Sequence, residues 1–192
     1  AIYNTNSANL VVNTTAFTSN KAVNGGAIYI QGFGKSSDKP SDTYAGAQII
    51  GSTFKGNRAD KGGAIYVGKY ADLYIQDTSF TNNIATTAGG AIFADEGSSL
   101  YISAVKKNVV FSGNKANGTS NSIHLAEGAT LNLGANTGRS NTNNDTVTLD
   151  KNAVINKYGL GKIYIVNEKD LENANFTIND GGAFSTVNGV VG

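Results

Sequence analysis

The side chains able to move protons or hold a metal are few in this 192-residue chain. His124 is the lone histidine, and there is no cysteine to join it. Carboxylates come close together in sequence only at Asp95 with Glu96 and at Glu168, Asp170 and Glu172. Polysaccharide hydrolases need several carboxylates converging on one cleft, and lyases need a calcium cluster with a basic catalyst. No Asp-Asp pair, Gly-His-Gly or Arg-x-Lys is present. Both carboxylate groups therefore read as solvated loop charges, and no catalytic, cofactor-binding or metal-ligating residue is expected. The Gly pairs at 25 and 26, 62 and 63, and 89 and 90 are not phosphate cradles, because no Lys-Ser/Thr follows them. The sequons at Asn13, Asn117, Asn144 and Asn175 are what chance gives in an Asn/Thr-rich chain.

Composition points to scaffold instead. The 24 Gly and 25 Asn favour corners, while Val, Ile, Thr, Tyr and Phe favour strands, which makes an all-β chain with frequent bends. Charged residues make up 15% with a net +1, so there is no nucleic-acid footprint. Absence of Cys excludes a disulfide framework and thiolate metal sites. No apolar run is long enough to span a bilayer as a helix. A chain opening at Ala1 reads as a fragment or mature product of something longer.

The elements that position everything else come in repeats. "FTSNKAVNGGAIY" begins at Phe17, "FKGNRADKGGAIY" at Phe54, "FTNNIATTAGGAIF" at Phe80, and a degraded "FSGNKANGTSNSIHL" at Phe111. The spacings between these Phe are 37, 26 and 31, yet Phe to Ile within each unit is 11 or 12. The unit is fixed and its connections vary. Each unit follows an alternating run such as "LYIQDTSF", which sets Leu73 and Ile75 on one face and Tyr74 on the other.

Two short strands per repeat cannot bury their apolar faces alone, and stacking repeats solves this. The expected fold is a single-domain right-handed parallel β-helix, a β-solenoid with three-sided coils and projecting loops. Phe17, Phe54, Phe80 and Phe111 should stack inside, and Ala22, Ala59, Ala85 and Ala116 should fill a tight position. Asn20, Asn57, Asn83 and Asn114 should tolerate left-handed backbone and pass amide hydrogen bonds from coil to coil. The Gly pairs should supply positive φ and close approach. The segment from Gln31 to Tyr44 holds the single Pro and should project outward. Four recognisable repeats of the FxxN…GGAI type fill residues 1–133, and 134–192 reads as an irregular continuation of the same solenoid. There, 134–145 should be a loop, and "VNEKDLENA" from Val166 reads as one helical turn.

If the Ile residues point inward, Tyr29, Tyr66, Phe93 and His124 line up outside as a ladder across the coils. Such a strip could stack on sugars or meet a protein. It is the candidate ligand-contact site, set against the plainer reading that aromatics simply suit strands.

The paired phrases FxxN and GGA-aliphatic, three times in register, resemble the repeats of the polymorphic outer-membrane protein family of autotransporters. The fourth copy keeps FSGN but has Asn121 and Ser122 where the others have glycine. The resemblance implies a bacterial surface passenger, held in the outer membrane through a C-terminal β-barrel outside this stretch, or released by cleavage. It implies adhesion to a host-cell surface protein or glycan, or to another copy of itself. The alternatives weighed are a polysaccharide lyase or hydrolase on the same scaffold, and an ice-binding solenoid, whose flat Thr array is missing.

Overall fold

The computed structural model describes residues 1–5, 9–38, 46–103, 106, 107 and 109–132 in full, and beyond them only the backbone of strands between 133 and 191. The chain winds into stacked coils of short strands, all-β apart from one 3-10 turn, Ser36–Asp38, among the described residues. After β1 (Ile2–Asn4), the first coil contributes β2 (Leu10–Asn13), β3 (Ala16–Thr18) and β4 (Ile28–Ile30). The second has β5 (Gly46–Ile50), β6 (Thr53–Lys55), β7 (Arg58–Lys61) and β8 (Ile65–Val67), and the third has β9 (Asp72–Gln76), β10 (Ser79–Thr81), β11 (Ile84–Ala88) and β12 (Ile92–Ala94). The fourth has β13 (Ser99–Ser103), β14 (Val110–Ser112), β15 (Lys115–Ala116), β16 (Thr119–Ser120) and β17 (Ile123–Leu125), followed by β18 (Thr130–Leu133).

Each strand pairs in parallel with its counterpart one coil away, which makes this a parallel β-solenoid. Four sheets run up the stack. The leading sheet orders β2-β5-β9-β13-β18, the Phe sheet β3-β6-β10-β14, the flank sheet β7-β11-β15-β16, and the Ile sheet β1-β4-β8-β12-β17. The sequence reading asked for at least two strands per repeat and three sides. The full coil holds four strands, because corners only two residues wide separate the leading, Phe and flank sheets. Further strands extend the ladders: Thr142–Asn143 joins the Phe sheet, Val147–Leu149 the Ile sheet and Val154–Lys157 the leading sheet. The rest of the 134–145 loop, and the helical turn expected from Val166, lie outside the described residues.

Alternation decides what faces inward. Leu73, Ile75, Leu100 and Ile102 are buried while Tyr74 and Tyr101 are only partly so. Ile28, Ile65, Ile92 and Ile123 are wholly buried, as expected. The four repeat Phe stack inside with ring centroids 4.8, 4.9 and 4.8 Å apart and planes within 9°. Burying one such side chain contributes about 2 to 3 kcal/mol. Ala59, Ala85 and Ala116 are buried at one register on the flank sheet.

The corners correct one expectation. The repeated Asn residues are not in left-handed backbone; the residue before each of them is, at Ser19, Gly56, Asn82 and Gly113 with φ of 55°, 65°, 54° and 65°. Turning at the preceding residue frees the Asn side chain to point inward. The Gly pair divides its work. Gly62 has φ +61°, whereas at Gly63 a Cβ would stand 2.1 Å from the Gly90 carbonyl oxygen, so one glycine turns the chain and the next admits a neighbouring backbone.

The degraded fourth repeat is a different local structure. Asn117 (φ 47°) and Gly118 (φ 77°) form the two-residue turn of a hairpin in which β15 and β16 pair antiparallel. Asn-Gly is the preferred pair for a turn with positive φ at both positions. β16 thus lies on the edge of the flank sheet, where the parallel stack would otherwise continue.

The insertion at Gln31 leaves the coil gradually. Phe33 is still buried, with its N–H donating to the Lys69 carbonyl at 2.7 Å, and residues 34–38 are exposed. Residues 39–44 of the expected projecting loop lie outside the described ones.

Candidate functional site

The outer face of the Ile sheet carries the aromatic ladder. Register places Tyr29 opposite Tyr66, Tyr66 opposite Phe93, and Phe93 opposite His124, with Tyr3 opposite Tyr29 at one end. The structure therefore brings all four predicted residues together and adds Tyr3, which sequence reasoning missed although "IY" at 2 and 3 repeats the Ile-aromatic signal. Successive centroids stand 5.0, 5.0, 5.4 and 4.9 Å apart, with ring planes 3° to 8° from parallel.

That geometry changes what the ladder can do. Rings stacked on one another along the solenoid axis cover each other's faces, so the interior members offer only edges and hydroxyls outward. Stacking of a sugar on the faces of Tyr29, Tyr66 or Phe93 is sterically closed. The members also differ in access: Tyr3 is 63% exposed, Tyr29, Tyr66 and His124 are partly buried, and Phe93 is only 4% exposed. Phe93 was expected outside with the others. The Lys61 ammonium sits over its ring, 4.7 Å from the centroid, a cation–π contact that helps to cover it.

A polar cluster closes the ladder at the next corner. The Tyr66 hydroxyl donates a short hydrogen bond to Asp95 Oδ2, and Asp95 Oδ1 accepts from the Glu96 N–H at 2.8 Å. Glu96 accepts from Lys69 Nζ at 2.7 Å and from the Tyr70 hydroxyl at 2.9 Å. Burial, and then the bond to Asp95, pushes the Tyr66 phenol well above its ordinary value. Burial also raises Tyr29, helped by Tyr3 and Asp95. The bonds from Lys69 and Tyr70 hold the Glu96 carboxyl below its usual range. Asp95, expected to be a solvated loop charge, is instead a partly buried acceptor, whereas the Glu96 carboxylate stays exposed as expected, and the two point to different partners. Among the described residues no group of three or more His, Asp or Glu is arranged to hold a metal ion.

The remaining repeat positions face the other way. Asn20, Asn57 and Asn83 each donate through Nδ2 to Oδ1 of the next Asn, at 2.9, 2.9 and 3.0 Å, and Asn114 Nδ2 donates to Ser122 Oγ at 3.0 Å. Asn57, Asn83 and Asn114 also donate to the carbonyls of Phe17, Phe54 and Phe80. Where the fourth repeat lacks its glycines, Asn121 Oδ1 accepts from the Gly89 N–H at 2.7 Å. These residues hold the coils together and are closed to a ligand.

Two concave places flank the ladder. One, of about 360 Å³, is lined by Ala1, Ile2, Tyr3, Ala22, Val23, Asn24, Gly25 and Tyr29. The other, of about 300 Å³, lies between His124 and the β15–β16 hairpin, lined also by Thr87, Ala88, Ala116, Asn117, Thr119 and Asn121. No helix among the described residues is long and apolar enough to cross a membrane.

No curated protein and no solved structure matches the chain. Residues 14–31, 51–68 and 77–95 match the Chlamydia polymorphic membrane protein repeat. Each matched segment opens on a left-handed corner residue, Thr14, Gly51 or Asp77, and ends just past a strand of the Ile sheet. Repeat and solenoid together fit a surface autotransporter passenger of the outer membrane. Three successive coils of this chain thus carry segments similar to the polymorphic membrane protein repeat, their shared Phe, Asn and Gly lying in the core and at the corners.

Proposed function

We propose that this chain is a passenger segment of a bacterial autotransporter, displayed at the cell surface or released by cleavage, and that it is a non-catalytic adhesin. One observation carries the reading. The Phe, Asn and paired Gly of the repeat are all committed to stacking, coil-to-coil hydrogen bonds and corners, so the outward positions are left to vary without disturbing the fold. Such a scaffold is suited to presenting surface. Its partner is a protein or glycan on a host cell, or a second copy of the chain on a neighbouring bacterium. The aromatic ladder contributes through ring edges and the hydroxyls of Tyr3 and Tyr29, because its interior ring faces are covered.

Beads coated with the 192-residue chain should bind cultured host cells or aggregate with one another, whereas beads coated with heat-unfolded chain should do neither. Failure of the folded chain in both assays would remove the adhesive reading. A Tyr29→Ser, Tyr66→Ser variant that retains folding and full binding would take the ladder out of it.

A further inference from the structure

The Asn of each repeat turns inward, and the residue after it turns outward onto the flank sheet. Register aligns these outward residues as Lys21, Arg58, Ile84 and Lys115. Three of the four are cations, and all three are exposed. Lys55 adds a fourth exposed cation at the last outward position of the Phe sheet, one corner away. Parallel neighbours in a sheet stand about 4.8 Å apart, so Lys21 and Arg58 are immediate neighbours and Lys115 lies two coils further on.

Like charges directly opposite on adjacent strands are destabilising, and sheets normally relieve them with interleaved carboxylates. This column has no such relief. None of Lys21, Arg58, Lys115 or Lys55 is ion-paired among the described residues, whose two salt bridges are Lys35 with Asp38 and Lys69 with Glu96. The one carboxylate among the described residues of the flank strands, Asp60, accepts from the Thr86 hydroxyl at 2.8 Å. The chain does have acids to spare, but Asp95, Glu96 and Glu127 sit at the corner between the Ile and leading sheets.

Beside the cations runs a column of hydroxyls. Thr18, Lys55, Thr81 and Ser112 share one register on the Phe sheet, and Thr53 and Ser79 share the other outward register. No aromatic side chain points outward from either sheet among the described residues, so there is no platform on which nucleic-acid bases could stack. The arrangement is a straight strip of fixed positive charge edged with groups that hydrogen-bond to sugar hydroxyls.

We propose that the strip formed by Lys21, Arg58 and Lys115, with Lys55 beside it, binds a linear sulfated polysaccharide laid along the solenoid axis. The inference deepens the adhesive reading by giving it a ligand class, and it rests on that reading only for its biological setting. Sulfates would supply the counter-charge that the column lacks, and the Thr and Ser column would meet the sugar hydroxyls between them.

The test is retention of the 192-residue chain on immobilised heparin across a salt series. It compares the wild type with Lys21→Ser, Arg58→Ser, Lys115→Ser, and with a control that removes the same charge elsewhere, Lys35→Ser, Lys106→Ser, Lys107→Ser. Folding of each is checked by circular dichroism. The wild type should bind, the column variant should bind about tenfold more weakly with a salt slope reduced by about 2 to 3, and the control should match the wild type. The proposal is overturned by absence of heparin binding, by equal losses in both variants, or by tighter binding of duplex DNA than of heparin through the same residues. Cell attachment separates the two readings. Heparin binding by the column without attachment to cells leaves this inference standing and removes adhesion; attachment to cells without column-dependent heparin binding removes this inference and leaves adhesion standing.

Discussion

Asn57 and Asn83 are 26 residues apart in sequence and one coil apart in space, and Nδ2 of the first donates to Oδ1 of the second at 2.9 Å with both residues wholly buried. The same Oδ1 accepts from the Asn57 backbone N–H at 3.0 Å, while Asn83 Nδ2 donates to the Phe54 carbonyl. One amide therefore satisfies two backbone groups of the preceding coil as well as its neighbour's side chain.

Asn83→Leu should be among the most damaging substitutions that preserve volume. It strands a buried donor on Asn57 and the Phe54 carbonyl, each worth about 1 to 3 kcal/mol when left unsatisfied. Asn20→Ala, at the partly exposed end of the ladder, should cost less than about 1 kcal/mol. Urea unfolding of the two variants measures the difference, and equal losses would contradict the ladder's role.

Phe80→Ala removes a ring stacked between Phe54 and Phe111 and wholly buried. A loss of about 3 to 5 kcal/mol is expected. Tyr74→Ala, on the solvent side of the leading sheet, should lose about 1 kcal/mol, mostly its 4.4 Å stack on Tyr101. Thermal denaturation ranks the two.

Two glycines should respond differently to the same methyl group. At Gly63 a Cβ would lie 2.1 Å from the Gly90 carbonyl oxygen and 2.6 Å from that of Ile84, both rigid backbone, so Gly63→Ala should cost about 3 kcal/mol or prevent folding. At Gly118 nothing lies within 4 Å and only the φ of +77° resists, so Gly118→Ala should cost about 1 kcal/mol. The comparison distinguishes close approach from conformational freedom in a single host.

Stability should fall on the alkaline side in a manner traceable to Tyr66. Its phenol is raised in the folded chain, so the unfolded chain ionises first, near the ordinary value of about 10. The stabilisation from its buried hydrogen-bonded form is complete below that pH and is lost as pH rises beyond it. Tyr66→Phe should flatten the alkaline limb of a stability profile, and a wild-type limb of unchanged slope in the variant would rule Tyr66 out as its source. Glu96, lowered by Lys69 and Tyr70, acts with the opposite sign: its contribution is present above the ordinary carboxylate range and fades as pH falls.

Much of this fold was legible because the repeat fixes each residue's address. Phe54, Asn57, Gly62 and Ile65 recur at constant offsets, and a constant offset in a stacked coil means a constant neighbour. What escaped was set by geometry within the stack. That the turn falls on Gly56 rather than Asn57 shows only in backbone angles, though Gly at that position in the second and fourth repeats was a signal. The Asn117-Gly118 hairpin has its signal in that dipeptide, within a repeat read only as degraded. The ladder's alignment was visible in sequence, but the closing of its ring faces was not, because alternation says which way a side chain points and not how its plane is turned. Lys61 over Phe93 depends on a contact between different sheets, which no period encodes.

The insertion after Phe33 has a consequence for how such a chain can change over time. The first coil leaves its path there and rejoins at Gly46, in register with Asp72, whereas the second covers the same corner in the four residues from Gly68 to Ala71. Register is intact on both sides of the excursion: Ile30 faces Val67 before it and Ile49 faces Ile75 after it. Since doubling the length of a flexible loop adds only about 0.6 kcal/mol of closure entropy, this corner is a port. Segments of different length and sequence can be exchanged there at little cost to the core, so what this corner presents can turn over independently of the scaffold that carries it.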